Sequence, residues 1–174
     1  TDAVVQMGLA LAKFSDQTKD AIRSAVPEAA NVENPVDLIA TADAKAYGAA
    51  LSAVMADPGV DSVIVLFVPP INIDQMAVAR SILDVQARLK KPVYTSLMGV
   101  SENSPPVALL RDHSIPAYAF PESIVKSLTG LERYRFWSVR PEPVFPKFEV
   151  KREAASKLIE KAKKSVSRPQ PVSG

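Results

Sequence analysis

The residues whose types and spacing could do chemistry sit in short loops. Asn34, Pro35 and Asp37 lie in Asn34-Pro35-Val36-Asp37-Leu38, a polar loop followed by a long helical pattern. A carboxamide and a carboxylate there can face a ligand. They can equally build the loop, Asn34 through an Asx-type hydrogen bond beside a stiffening proline, Asp37 by accepting backbone N–H groups. Pro69-Pro70 ends one apolar run and Met98-Gly99 follows another. Gly99 lets a backbone approach closely or simply turns the chain, whereas the two prolines offer no N–H donor. An anion held beside them would need the amide of Val68, Ile71 or Asn72. His113 is the one histidine. It reads as the end of a helix, where an imidazolium suits the dipole, and not as a catalytic group. Asp20, Arg23, Glu28 and Glu33 read as solvated surface. There is no Gly-rich phosphate loop and no run of metal ligands. Cys is absent, which excludes thiol catalysis, disulfides and Cys-based zinc sites.

Regular elements must hold these loops in place. A helix is expected over 1–7 with Gly8 at its end, then a short strand over 9–12. A helix over 16–26 follows, capped by Ser15 and stopped by Pro27. After loop 27–42, a helix over 44–56 carries Tyr47, Leu51 and Val54 on one apolar face, with Asp43 or Thr41 as its cap. Asp57-Pro58-Gly59 is a turn. Residues 62–68 form an apolar, β-branched run, as in a central parallel strand covered on both faces. A helix over 74–89 has Val78, Ile82, Val85 and Leu89 in one stripe. A strand over 92–96, a helix over 105–113 and a strand over 115–119 come next. A last helix starts at Pro121, lined by Ile124, Leu128 and Leu131.

Such alternation means an α/β fold, an open parallel sheet with right-handed crossovers and helices on both faces. Five-stranded sheets of this kind are flavodoxin-like, and their ligands sit at the carboxyl ends of the strands. Those ends are 68–70, 96–99 and the loop after 119, and the Asn34 loop is expected at the same rim. In the order 2-1-3-4-5 the first strand is central. Because the sequence opens with a helix, that strand is expected to be missing from this chain, as in a piece of a longer one.

With 174 residues, 47% of them hydrophobic, the chain suits one full domain. The expected division is 1–139 for the domain and 140–174 for a Pro-rich tail containing Pro141, Pro143, Pro146, Pro169 and Pro171. Net charge is +2, and residues 141–174 carry eight basic against four acidic side chains. The tail is therefore +4 and the rest −2. Residues 150–166 read as a basic amphipathic helix with Val150, Ala154, Leu158 and Ala162 on one side, packing on this domain or a neighbour. The Ala-rich stripe lacks the bulky anchor of a membrane-surface helix. The body has neither the charge nor the basic–aromatic interleaving of a nucleic-acid surface. No apolar run approaches the ~20 residues of a membrane span, and no signal-like segment opens the sequence. A cytoplasmic setting is expected.

Five stretches occur in order: Asn34-Pro35-Val36-Asp37-Leu38, Asp57-Pro58-Gly59-Val60-Asp61, Lys91-Pro92-Val93, Met98-Gly99, and Ile115-Pro116-Ala117-Tyr118 running on to Pro121-Glu122. Each alone is an ordinary turn or strand start. Together, over about residues 1–133, they resemble the NDP-forming acyl-CoA synthetases, or ADP-forming acetate–CoA ligases, which are relatives of succinyl-CoA synthetase. The resemblance implies the second flavodoxin-like ligase-CoA domain of a modular enzyme. Its partners would be a CoA-binding domain, a first ligase domain and an ATP-grasp domain, on the same chain or on another subunit of a hetero- or homo-oligomer. It also implies the reaction: acid, ATP and CoA interconvert with acyl-CoA, ADP and phosphate, through an acyl phosphate and a phosphohistidine. That histidine belongs to a Ser-His-Thr-Gly-type loop of another domain, which His113 does not match. The parent would use CoA, ATP or ADP, Mg2+ and a small-molecule acid, with no cofactor held by this domain alone. Asn34, Pro35, Asp37, Pro69, Pro70, Met98 and Gly99 would form a rim at the phosphoryl site, with no catalytic group among them. Related ligases often carry glycines where Pro69 and Pro70 stand, a departure that bears on anion binding there. A regulatory or binding module without ligase activity, fused to a protein acetyltransferase, is the alternative, since fold does not fix function. A receiver-like or nucleotide-binding flavodoxin fold is disfavoured, for want of an acidic cluster or a Gly-rich first loop.

Overall fold

The computed structural model describes residues 1–70, 73–146 and 151–165. The elements run α1 (Asp2–Gln6), α2 (Asp16–Arg23), α3 (Ala44–Ala56), β1 (Val63–Phe67), α4 (Gln75–Leu89), β2 (Val93–Leu97), α5 (Pro105–Asp112), β3 (Ala117–Tyr118), α6 (Pro121–Val139) and α7 (Arg152–Ser165). Short polar side chains start the helices by accepting orphan amides. Ser15 accepts from Thr18 N–H, Asp43 from Ala46 N–H, and Asp74 from Met76 and Ala77 N–H. Lys90, left-handed at φ 56°, closes α4.

The three strands form one parallel sheet in the order β1-β2-β3, with Val63 opposite Val93 through to Phe67 opposite Leu97. Strand alternation splits the side chains between two faces. Val65, Phe67, Val93 and Leu97 point to one face, where Leu51 and Met55 of α3, Ile82 and Val85 of α4 and Leu110 of α5 complete the main core. On the other face α6 lies against β2 and β3, and α1 touches α6. A second core, Phe14, Ile22, Val32, Ala50, Val54 and Val60, joins α2 and its flanking loops to α3.

Among the described residues the sheet stops at β1. Val63 N–H donates to Pro92 O, and Phe67 O accepts from Met98 N–H. The odd-numbered residues of β1 therefore bond towards β2, while Ile64 and Leu66 turn their main-chain groups to a free edge. The outer face of β1 is also bare: Leu66 is 46% and Val68 62% exposed.

Several expectations need correction. Residues 9–12 are not a strand. No neighbouring strand accepts them, and the Ala12 carbonyl is taken by the Asn34 side chain. Helix α2 stops at Arg23 rather than Val26, because Ala25 N–H bonds to Ile22 O in a tighter turn and Val26, preceding a proline, resists the helical region. Strand β3 spans two residues instead of five. Leu131 does not line a buried face; it is exposed, because α6 runs on past the short β3. The chain divides into two compact units at Val139. In the second, α7 exposes Ala154, Leu158 and Ala162, whereas Val150 and Val166 fall outside the described residues.

Asp57 ties the amino end of the fold together. Its Oδ2 accepts Ser15 N–H at 2.9 Å and the Thr18 hydroxyl at 2.7 Å, and its Oδ1 accepts Gly59 N–H at 2.8 Å. Its main-chain oxygen accepts the Lys91 ammonium at 2.6 Å. The side chain is buried, and these donors, led by the Ser15 amide and the Thr18 hydroxyl, lower its pKa to about 2. A depressed carboxylate stabilises the fold above its unfolded value, roughly 3.9, and that contribution is lost as pH falls through about 2. In acid titrations followed by circular dichroism, wild type should exceed Asp57→Asn in stability by a constant margin from pH 5 to 7. The margin should shrink between pH 4 and 2. In urea, Ile22→Ala, which empties a fully buried site, should cost about 2–5 kcal/mol.

Candidate ligand rim at the carboxyl ends of the strands

The Asn34 loop is a closed hairpin-like turn. Asn31 and Asp37 exchange both main-chain hydrogen bonds, at 3.0 and 2.9 Å. The Asn31 side chain bridges the inside, its Nδ2 donating to Pro35 O at 3.0 Å and its Oδ1 accepting Glu33 N–H at 3.1 Å. The Asn34–Pro35 peptide is cis. Asn34 is half-buried and donates its amide to Ala12 O at 3.0 Å, so the Asx turn here belongs to Asn31, not Asn34. Asp37 accepts Ile39 N–H at 2.9 Å, across an Ile39 held left-handed at φ 57°. A β-branched side chain seldom tolerates that conformation, and the Asp37 carboxylate helps to hold it. A Lys19–Glu33 ion pair at 2.6 Å fastens the loop to α2.

Of the expected rim residues, Pro69, Pro70, Met98 and Gly99 follow the carboxyl ends of β1 and β2 directly. Met98 N–H donates to Phe67 O at 3.0 Å, which locks the two strand ends together. Gly99 has φ 75° and nothing within 4 Å of a would-be Cβ, so the turn and not a close contact within the domain requires it. Ile71 and Asn72 lie outside the described residues. Tyr47 stands at the carboxyl end of β1. The Tyr47 ring meets Phe67, the last residue of β1, edge-on at 5.4 Å and 88°. Burial, with the Asp37 charge second, pushes the Tyr47 phenol above its ordinary pKa. Asn34 and Pro35 stay on the flank, occupied with Ala12 and Asn31.

Two residues that the sequence does not single out shape the rim. Tyr47 reads there only as part of an apolar stripe. Arg111 ends α5 and gives Nη1 to Glu102 O at 3.2 Å and Nη2 to Ala117 O at 3.1 Å, bracing the loop after β2 against β3. Its lone signal is a basic residue in a last helical turn. A cavity of about 10 Å³ beneath it, lined by Leu97, Val100, Val107 and Tyr118, has room for one water. His113 caps α5 at the surface, its Nδ1 2.9 Å from Leu109 O, as the helix-end reading expects. Among the described residues no three His, Asp or Glu side chains converge as metal ligands, and no helix is long and apolar enough to cross a membrane.

Known proteins share this architecture. A family model described as Ligase-CoA domain matches residues 1–140. The ADP-forming 4-hydroxybutyrate–CoA ligase of Nitrosopumilus maritimus is 27% identical over 164 residues, 94% of this chain and 23% of that protein. The alpha subunit of ADP-forming acetate–CoA ligase I from Pyrococcus furiosus is 29% identical over 142 residues, 80% of this chain and 30% of that one. Among solved structures, the dinucleotide-forming acetyl-coenzyme A synthetase 1 of Candidatus Korarchaeum cryptofilum, in complex with phosphate and ADP, superposes with a TM-score of 0.71. Its identity is 26%, over 82% of this chain and 32% of that one. This chain thus spans about a quarter to a third of the length of these relatives.

The side-chain bridge within the Asn34 loop has a measurable consequence. Asn31→Ala removes two hydrogen bonds in a solvent-facing turn. It should raise amide exchange at Asp37 about tenfold by local opening, while exchange in β2 stays at the wild-type rate.

Proposed function

Because the chain belongs to the Ligase-CoA domain family, we propose that it is the second ligase domain of an ADP-forming acid–CoA ligase. The observation that carries the reading is the family match across the whole α/β unit, with ADP-forming ligases among the relatives at 27–29% identity. In this proposal the parent protein interconverts acid, ATP and CoA with acyl-CoA, ADP and phosphate. Acyl-CoA and phosphate give acyl phosphate and CoA, and a histidine of another domain then carries the phosphoryl group to ADP. Phosphoryl transfer asks a protein mainly for positioning and electrostatic stabilisation. A domain without a nucleophile can therefore contribute a wall.

This chain's part is that rim. Asp37, Pro69, Pro70, Met98 and Gly99 form its edge, and Asn34 and Pro35 buttress it. Among the described residues no three His, Asp or Glu side chains converge as metal ligands, and the end of β1 leads into two prolines without amides. In this proposal CoA, ATP or ADP, and Mg2+ belong to the CoA-binding, first ligase and ATP-grasp domains, as partners within one chain or one oligomer. The cytoplasm, which supplies all of these substrates, is the proposed compartment.

The test is the intact mass of the full-length parent after incubation with Mg-ATP. An acid-labile gain of one phosphoryl group, discharged by ADP, is expected. A folded parent that gains none under Mg-ATP or acetyl phosphate would move the reading to a binding module. Residues 1–174 alone should show no acid–CoA ligase turnover above background.

A further inference from the structure

Helix α7 (Arg152–Ser165) is a helix without a core. Its side chains from 152 to 164 are all exposed, Leu158 at 68% and Ile159 at 56%. A helix of 14 residues is marginal in water by itself, because most helical stability in proteins comes from burying one face.

The residues of α7 are sorted for such a burial. At 3.6 residues per turn, Ala154, Ala155, Leu158, Ile159 and Ala162 fall on one stripe. Lys157 and Lys161 border it on one side, Arg152 and Lys163 on the other. Glu153 and Glu160 lie on the opposite face. An apolar stripe with cations along both borders fits an apolar groove with carboxylates on both lips. Two copies of α7 face to face would instead set lysine against lysine.

The extent of the matches indicates where such a groove lies. The Ligase-CoA domain model ends at residue 140. The Pyrococcus furiosus alpha subunit is matched over 80% of this chain, about the length of residues 1–139. The Nitrosopumilus maritimus ligase is matched over 94%, too much to leave α7 out, and this chain is 23% of it. Similarity through α7 thus goes with a relative that carries most of its length elsewhere.

We propose that α7 docks by its Leu158–Ile159 stripe into an apolar groove with acidic lips, on a part of the parent protein outside residues 1–174. The proposal rests on the reading of the parent as a multidomain ligase and adds to it the element that holds two of its parts together.

The experiment compares residues 1–174 with the full-length parent by hydrogen exchange. Amides of α7 should exchange near the unfolded rate in the first and about 100-fold more slowly in the second. In the parent, Leu158→Asp should abolish that protection, and Glu153→Lys, on the opposite face, should leave it intact. A zero-length carbodiimide should join Lys157, Lys161 or Lys163 of the parent to carboxylates outside residues 1–174. Equal exchange in the two proteins, unaltered protection in Leu158→Asp, or failure to join any carboxylate outside residues 1–174 overturns the inference. Phosphoenzyme formed from Mg-ATP is read on the same parent. A parent that protects α7 but takes up no phosphoryl group fails the proposed reaction and keeps the docking.

Discussion

The Asp57 carboxylate is the constraint on which the remaining geometry depends. Three segments converge on Asp57 at the end of α3: the cap of α2 and the turn into β1 through its carboxylate, and the lysine before β2 through its main-chain oxygen. Each segment brings a donor to a buried or part-buried place, and one residue satisfies them all. With the amino ends of the strands pinned there, the directions of α2, α3 and β1 are fixed, and so is the place where their opposite ends emerge. The loops at the carboxyl ends can then vary without endangering the sheet.

The Asn34 loop follows the same economy at smaller scale. Most of its polar groups are spent on its own shape: Asn31 on the inner bridge, Asn34 on Ala12, the Asp37 carboxylate on Ile39. What it presents outward is mainly a charge in a fixed place. The loop is rigid because it is self-bonded, and it is located because Val36 and Leu38 pack on the smaller core. Its charge also helps to raise the Tyr47 phenol above its ordinary pKa, second to burial.

Much of this is legible in the sequence, for physical reasons that differ by element. The caps Ser15, Asp43 and Asp74 and the stripes of α3 and α4 are local signals, complete within a few residues. The continuous apolar run of β1 announces a buried strand, and the ordered turn motifs announce the family. Residues 9–12 mislead because four apolar residues read alike as strand and as packed coil; only a partner strand decides. Leu131 misleads because helical periodicity continues past the point where the sheet ends. At the rim, topology locates the loops, but the bonds that shape them link residues far apart. Tyr47 with Phe67 and Arg111 with Ala117 have no local signature, and Asn31 shows only as one more loop asparagine.

The bare flank of β1 alters what mutational tolerance means for this domain. Leu66 and Val68 are largely exposed, so polar replacements there should cost the packing of residues 1–139 less than replacements in the core. Phe67, one position away, is such a core residue. Strand alternation thus interleaves two kinds of position along the chain: those that the domain's own folding buries, and those that it leaves largely exposed. Any persistence of apolar character at the second kind would record a selective pressure that originates outside the domain.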